Sequence, residues 1–289
     1  MAVVSLPFRE KVVTFGEGKS LVGILTIPAE PRVGGAHVVL INAGVIHRVG
    51  AHRLYVGFAR AFAEAGTATL RFDLSGIGDS ERQSGEWTLS LADSVTRDIS
   101  SALDFLSAEY GAERFVLAGL CSGAFDSFEH AVHDPRVVGA VMIDMPGPFR
   151  NWSYFVQHLA VRVLRMASWR TFAKQLARAA TAPGDQVQSE RDRREAVMTG
   201  VRMPVPVEQL DANLHTLLAR KVALAFVFTG GVSDYYNHRT QFRLRFPRAA
   251  AHAGLCVEFV HWSNHTFSTR KARAYITGFL KDWLTNNAL

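Results

Sequence analysis

Cysteine is scarce in this chain: two residues, Cys121 and Cys256, among 289. Their wide separation excludes a disulfide scaffold and fits a reducing compartment. No apolar run approaches the roughly 18 residues of a membrane-spanning helix, so stable membrane insertion is not expected. The N-terminal stretch from Met1 to Glu10 has no basic region followed by a long apolar one, and does not read as a signal peptide. A cytoplasmic location is therefore expected. No pair of histidines or cysteines has the spacing of metal ligands, and no cofactor is implied. Internal repeats and low-complexity tracts are also missing.

What is present describes a soluble globular chain, with 48% hydrophobic and 20% charged residues, enough for a sizeable core. The length suits one large α/β domain or two smaller ones. The formal net charge is +6. Much of the positive charge lies between Arg150 and Arg202, at Arg162, Arg165, Arg170, Lys174, Arg178, Arg191, Arg193 and Arg194. Such patterning commonly makes a solvated helix face. It would also suit docking of an acidic partner: an acyl-carrier protein, a coenzyme A nucleotide or an anionic membrane surface. No nucleic-acid-binding motif accompanies it, so nucleic acid is not an expected partner.

Buried-strand patterns alternate with helical ones through most of the chain. Glu10 to Phe15 and Ser20 to Ile27 read as a hairpin across Gly16 and Gly18. Further strands are expected at 36–41, 68–72, 114–118, 137–143, 222–229 and 255–261, with helices at 53–65, 92–110, 124–132 and 269–284. This rhythm predicts a mostly parallel eight-stranded sheet with helices on both faces. It breaks between Pro146 and about Arg220, where aromatic, basic and helix-like stretches replace strands. The expected organisation is a core at 1–146 and 216–289, with a helical cap at 147–215 over the carboxyl ends of the strands.

The pentapeptide Gly119-Leu120-Cys121-Ser122-Gly123 directly follows the apolar run ending at Ala118. A residue between such a strand and a helix sits on a sharp turn, and glycines two positions to either side leave that turn room. The central residue of a G-x-S-x-G elbow is normally serine; here it is Cys121. Taking Ser122 as nucleophile instead would place Leu120 and Ala124 at the small positions, and Leu120 suits such a turn poorly. A third reading is a buried cysteine in an ordinary glycine-rich turn.

A thiol attacking an acyl carbon needs a base, and the base needs an orienting carboxylate. In this architecture both follow the nucleophile in chain order. The candidates are Asp234, in the loop after 222–229, and His265, after 255–261. Asp144 ends another strand and is the alternative acid; His261 is the alternative histidine, although it lies close to its strand. The oxyanion would be received by backbone amides of Ser122 and of the loop Asn42-Ala43-Gly44-Val45, where Gly44 allows the turn and Val45 is the preferred donor. His47, Trp152 and Phe155 are candidate substrate contacts, the two aromatics suggesting an apolar pocket.

The segment Asp73-Leu74-Ser75-Gly76-Ile77-Gly78-Asp79-Ser80 resembles the D-x-x-G-x-G-x-S stretch of many α/β-hydrolases, where it shapes the floor of the site. With the elbow, Asp234 and His265, the resemblance spans nearly the whole chain outside the cap. Together with Asn42 to Arg48, these motifs resemble hydrolases associated with bacterial exosortase systems. The cysteine nucleophile is similar to that of dienelactone hydrolase, although Ala43-Gly44 stands where a His-Gly oxyanion motif is common. The resemblance implies an α/β-hydrolase fold and a Cys121-His265-Asp234 triad. The expected activity is hydrolysis of a small-molecule acyl ester or thioester through an acyl-cysteine. Acyl transfer from a carrier or coenzyme A thioester is the alternative, and a non-catalytic binding protein on the same fold is the second.

Overall fold

All eight segments with strand character join one sheet in the computed structural model, which describes residues 6–82, 90–157 and 205–289. Strands β1 (Phe8–Phe15) and β2 (Leu21–Pro28) form the expected antiparallel hairpin. The later strands are β3 (His37–Ile41), β4 (Thr69–Phe72), β5 (Phe115–Leu120), β6 (Val137–Ile143), β7 (Ala223–Thr229) and β8 (Leu255–Val260). The spatial order is β1-β2-β4-β3-β5-β6-β7-β8. β2 meets β4 antiparallel, and every pairing from β4 to β8 is parallel.

The inner strands are buried on both faces, which is why β5 and β7 read as continuous apolar runs rather than alternating ones. Helices α1 (Leu54–Glu64) and α5 (Arg270–Asn286) cover one face; α2 (Leu91–Tyr110), α3 (Ser122–His133) and α4 (Val207–Ala219) cover the other. The α2 stripe of Val95, Ile99, Ala102, Leu103 and Leu106 is buried as its spacing predicts. Ser90 caps the start of that helix by accepting the Asp93 amide at 3.2 Å, and Gly111 ends it at φ 65°. Among the described residues no helix is long and apolar enough to cross a membrane.

One buried side chain sets the spacing of the strand ends that carry the site. The Tyr55 hydroxyl donates to the Ile41 carbonyl at 2.8 Å and accepts the Leu120 amide at 2.9 Å. It therefore links the last residue of β3 to the last residue of β5 across the base of the turn before Cys121. Burial of this phenol pushes its pKa upward, so it stays neutral and keeps its donor.

Most of the stretch expected as a cap, residues 158–204, lies outside the described residues. Its two described ends lie against the core. Leu210, Leu214, Leu217 and Leu218 of α4 are buried in the same cluster as α2 and α3. At the other end Phe149 is wholly buried among Phe226, Phe228, Tyr235, Tyr236, Phe242 and Phe246, with ring centroids 4.9–6.4 Å away. Truncating Phe149 to Ala is expected to cost about 3–5 kcal/mol in urea unfolding, the usual penalty for a large buried ring. Trp152, which is 80% exposed, should tolerate Ala within about 0.5 kcal/mol. Equal penalties at the two positions would contradict this packing.

Candidate active site

The turn after β5 has the geometry that its glycines require. Cys121 adopts φ 58° and ψ −118°, a strained conformation for a residue with a side chain. A Cβ on Gly119 would collide with the backbone of Gly123, and one on Gly123 with the carbonyls of Ile41 and Asn42. The two small positions thus bracket Cys121, not Ser122. The Cys121 amide is anchored to the Ile143 carbonyl at 2.9 Å, and its own carbonyl accepts the Ala124 and Phe125 amides as α3 begins. The sulfur therefore stands at the N-terminus of a 12-residue helix, whose first amides have no intrahelical acceptors.

His265 lies between this cysteine and a carboxylate, and that carboxylate belongs to Asp144. The His265 Nδ1–H donates to Asp144 Oδ2 at 2.8 Å, and the ring lies close enough to the Cys121 thiol to interact with it. Asp144 is fully buried at the end of β6. The Thr229 amide donates to its Oδ1 and the Thr229 hydroxyl to its Oδ2, both at 2.7 Å. Tyr235 donates its hydroxyl to the Asp144 backbone carbonyl at 2.8 Å. These partners push the imidazole pKa up from 6.5 to about 10, chiefly through the Asp144 hydrogen bond and next through the Cys121 side chain. Burial of the ring opposes that rise.

The expectation that Asp234 holds the imidazole is corrected by this geometry. Asp234 is exposed, and the atom it contributes is its backbone carbonyl, which accepts from Tyr154 Oη and Arg150 Nε at 2.8 Å each. The cause is close approach of the two loops. A Cβ on Gly231 would strike the His265 backbone, and one on Gly230 the His261 carbonyl. The histidine loop therefore crosses directly over Thr229, Gly230 and Gly231, beside the end of β6 rather than beside residue 234. The same loop is pinned beyond the histidine by Phe267, which is buried, and by Asn264, whose side chain pairs with Ser268 at 2.9 and 3.0 Å.

On the other side of the sulfur, residues 43–46 form a tight turn closed by the Ile46 amide on the Ala43 carbonyl at 3.0 Å. The Gly44 amide reaches the elbow and donates to Ser122 Oγ at 2.7 Å. Val45 stands at the tip with an 85% exposed side chain, and among the described residues its amide has no acceptor. A buried network, which sequence reasoning missed, holds this turn. Asn42 donates to the Ile46 carbonyl at 2.8 Å and accepts the Leu74 amide at 2.8 Å. Asp73, wholly buried, pairs with the Arg48 guanidinium and accepts the Asp79 amide at 3.1 Å. Gly78 is required there because a Cβ would overlap the Asp73 carboxylate. The D-x-x-G-x-G-x-S segment thereby braces the 43–46 turn; its regular Asp-Gly spacing was the available signal.

Other candidates fall further out. His47, His261, Trp152 and Phe155 are exposed. The basic positions from Arg162 to Arg194 lie outside the described residues. Among the described residues no group of three or more His, Cys, Asp or Glu is arranged to hold a metal ion.

Residues 37–200 match the model of a hydrolase family described as serine aminopeptidase, S33. A sequence search of curated proteins found no match. Among solved structures, the Pyrococcus furiosus esterase Pf2001 superposes with a TM-score of 0.58 at 12% identity, over 98% of this chain and 91% of its own. Dienelactone hydrolase from Anabaena variabilis gives 0.54 at 16% identity, covering 97% and 98%. A proline iminopeptidase-related protein from Thermus thermophilus gives 0.56 at 17%, covering 97% and 100%. These likenesses are of fold. The family match takes in the elbow and more than half of the sequence, so the chain belongs to the serine aminopeptidase S33 family and is an α/β-hydrolase.

Proposed function

We propose that the chain is an acyl hydrolase that cleaves an ester or thioester through an acyl-cysteine on Cys121. The observation that carries this reading is His265 bonded to the buried Asp144 at 2.8 Å while its ring lies close enough to the Cys121 thiol to interact with it. In the first half-reaction the Cys121 thiol gives its proton to His265 as the sulfur attacks the carbonyl carbon and a C–S bond forms. The oxyanion is received by the Ser122 amide and by the 43–46 turn, with the unengaged Val45 amide the available donor there. As the tetrahedral species collapses, the bond from the acyl carbon to the leaving oxygen or sulfur breaks and that atom takes the proton from His265. In the second, His265 takes a proton from water as its oxygen attacks the thioester; the bond to Cys121 then breaks, releasing the acid, and His265 returns the proton to the sulfur. Asp144 fixes the ring orientation and stabilises its charged form.

Support for Cys121 over Ser122 comes from the bracketing glycines and from the hydroxyl of Ser122 being held by the Gly44 amide. Intact-mass analysis after mixing with an acyl thioester checks the choice. An adduct should form on wild type and on Ser122→Ala, and be lost in Cys121→Ala. Rapid decay of the adduct in water supports hydrolysis, persistence until an amine or thiol is added favours transfer, and an adduct that survives Cys121→Ala contradicts the assignment.

The raised pKa of His265 has a consequence for folding. The folded protein binds this proton more tightly than the unfolded chain, so the gain is full below pH 6.5 and is lost as pH rises towards about 10. Asp144→Asn removes the main cause of the shift. The thermal stability advantage of wild type over Asp144→Asn should therefore narrow between pH 6.5 and about 10. An advantage that widens over that range would contradict the pairing.

A further inference from the structure

Between the first turns of α1 and α5 runs a groove of about 420 Å³ whose charged lining is entirely cationic: Arg53, Arg60, Arg270 and Arg273, with His52 beside them. Arg60 is compensated by Glu10 at 2.7 Å. Arg273 donates to the Phe267 and Ser268 carbonyls at 2.9 and 2.7 Å, and so carries an uncancelled charge. Arg53 and Arg270 have no carboxylate partner among the described residues. Among the described residues, three guanidinium charges thus share one concavity without an anion.

Their placement runs against local electrostatics. The start of a helix carries partial positive charge and favours acidic residues, yet neither α1 nor α5 has an acidic residue in its first turn. Arg53 instead caps α1, and Arg270 and Arg273 lie in the first turn of α5. His52 and Arg53 also occupy left-handed backbone conformations, φ 50° and 61°, which are costly for residues with side chains. Local conflicts of this kind concentrate where a ligand resolves them. Guanidinium groups pair bidentately with carboxylate and phosphate oxygens, and several in one concavity suit the multiple charge and three oxygens of a phosphate.

The groove lies at the sheet edge that also carries the active site, since α1 follows the carboxyl end of β3 and α5 that of β8. Arg270 follows His265 by five residues, and Arg53 follows Gly44 by nine. At no more than about 3.6 Å per residue, the Cα of Arg270 is within roughly 18 Å of that of His265. One extended molecule can therefore place an anion in the groove and a carbonyl at Cys121.

We propose that this groove holds the phosphate of a phosphopantetheine-type thiol arm, so that the substrate is an acyl thioester carried on such an arm. The inference rests on the acyl-hydrolase reading and narrows it from esters in general. The arm occurs on coenzyme A and on carrier proteins, and the groove recognises what the two share.

Two measurements test it. The first compares kcat/KM for one acyl group on phosphopantetheine and on pantetheine, which lacks the phosphate. Wild type should prefer the phosphorylated arm by about tenfold or more, and added salt should weaken that preference. In the Arg53→Ala/Arg270→Ala variant the ratio should fall to about two or less. Coenzyme A and carrier-protein thioesters run in parallel identify the source. The second is calorimetry of 4′-phosphopantetheine on Cys121→Ala, with and without the two arginine substitutions, which reads binding without turnover. Weaker binding on removing the arginines supports the groove. Equal kcat/KM for the two arms, or a preference and binding that survive the arginine substitutions, overturns it. Should neither thioester acylate Cys121, the hydrolase reading fails, and the calorimetry still decides the groove.

Discussion

The constraint behind the rest of the site is a carboxylate with no exposure to water. Asp144 sits at the end of β6 with its oxygens bonded by the Thr229 amide, the Thr229 hydroxyl and His265. A buried carboxylate left without such donors would be strongly destabilising, so all three must be in place together. That requirement fixes the end of β7 against the end of β6, and the histidine loop against both. The imidazole is then oriented by a group that cannot itself move, which is the condition for a ring to shuttle protons at one fixed sulfur.

A second set of restraints works from the opposite side. Gly119 and Gly123 let β5 and α3 approach β3 closely enough to force Cys121 into its strained turn, and Tyr55 bolts the ends of β3 and β5 together. The turn at 43–46 is braced by Asn42 and by Asp73, so the amides facing the elbow are held before any substrate arrives. Donors set in advance are worth more than donors that must reorganise during reaction. The proposed chemistry needs both sides: an imidazole anchored from β6 and β7, and amides anchored from β3 and β4.

Much of this was legible in the sequence because it depends on short-range patterns. A hairpin pattern around Gly16 and Gly18 and later apolar runs marked all eight strands, and the two elbow glycines marked Cys121 on steric grounds alone. The acid was not so readable. Asp144 and Asp234 both follow parallel strands and both lie between Cys121 and His265, so chain order does not separate them. The close approach of Gly230 and Gly231 to the histidine loop brings His265 down beside Asp144. That is a contact between segments 34 residues apart in sequence, from Gly231 to His265, and no local periodicity encodes it. The bracing by Asp73 and Arg48 was hidden for the same reason, since its partners come from different βα loops. The start of α4, up to residue 215, followed a stretch without strands and so read as cap, whereas Leu210 and Leu214 pack in the core.

The most direct test of the central claim compares two single-atom-scale substitutions in the same assay. Asp144→Asn should lower kcat/KM by about 10⁴-fold, the scale expected when the imidazole loses its orienting carboxylate. Asp234→Asn should stay within a few-fold of wild type, because the residue contributes its backbone carbonyl and not its side chain. A severe loss at Asp234 with a mild one at Asp144 would contradict the assignment.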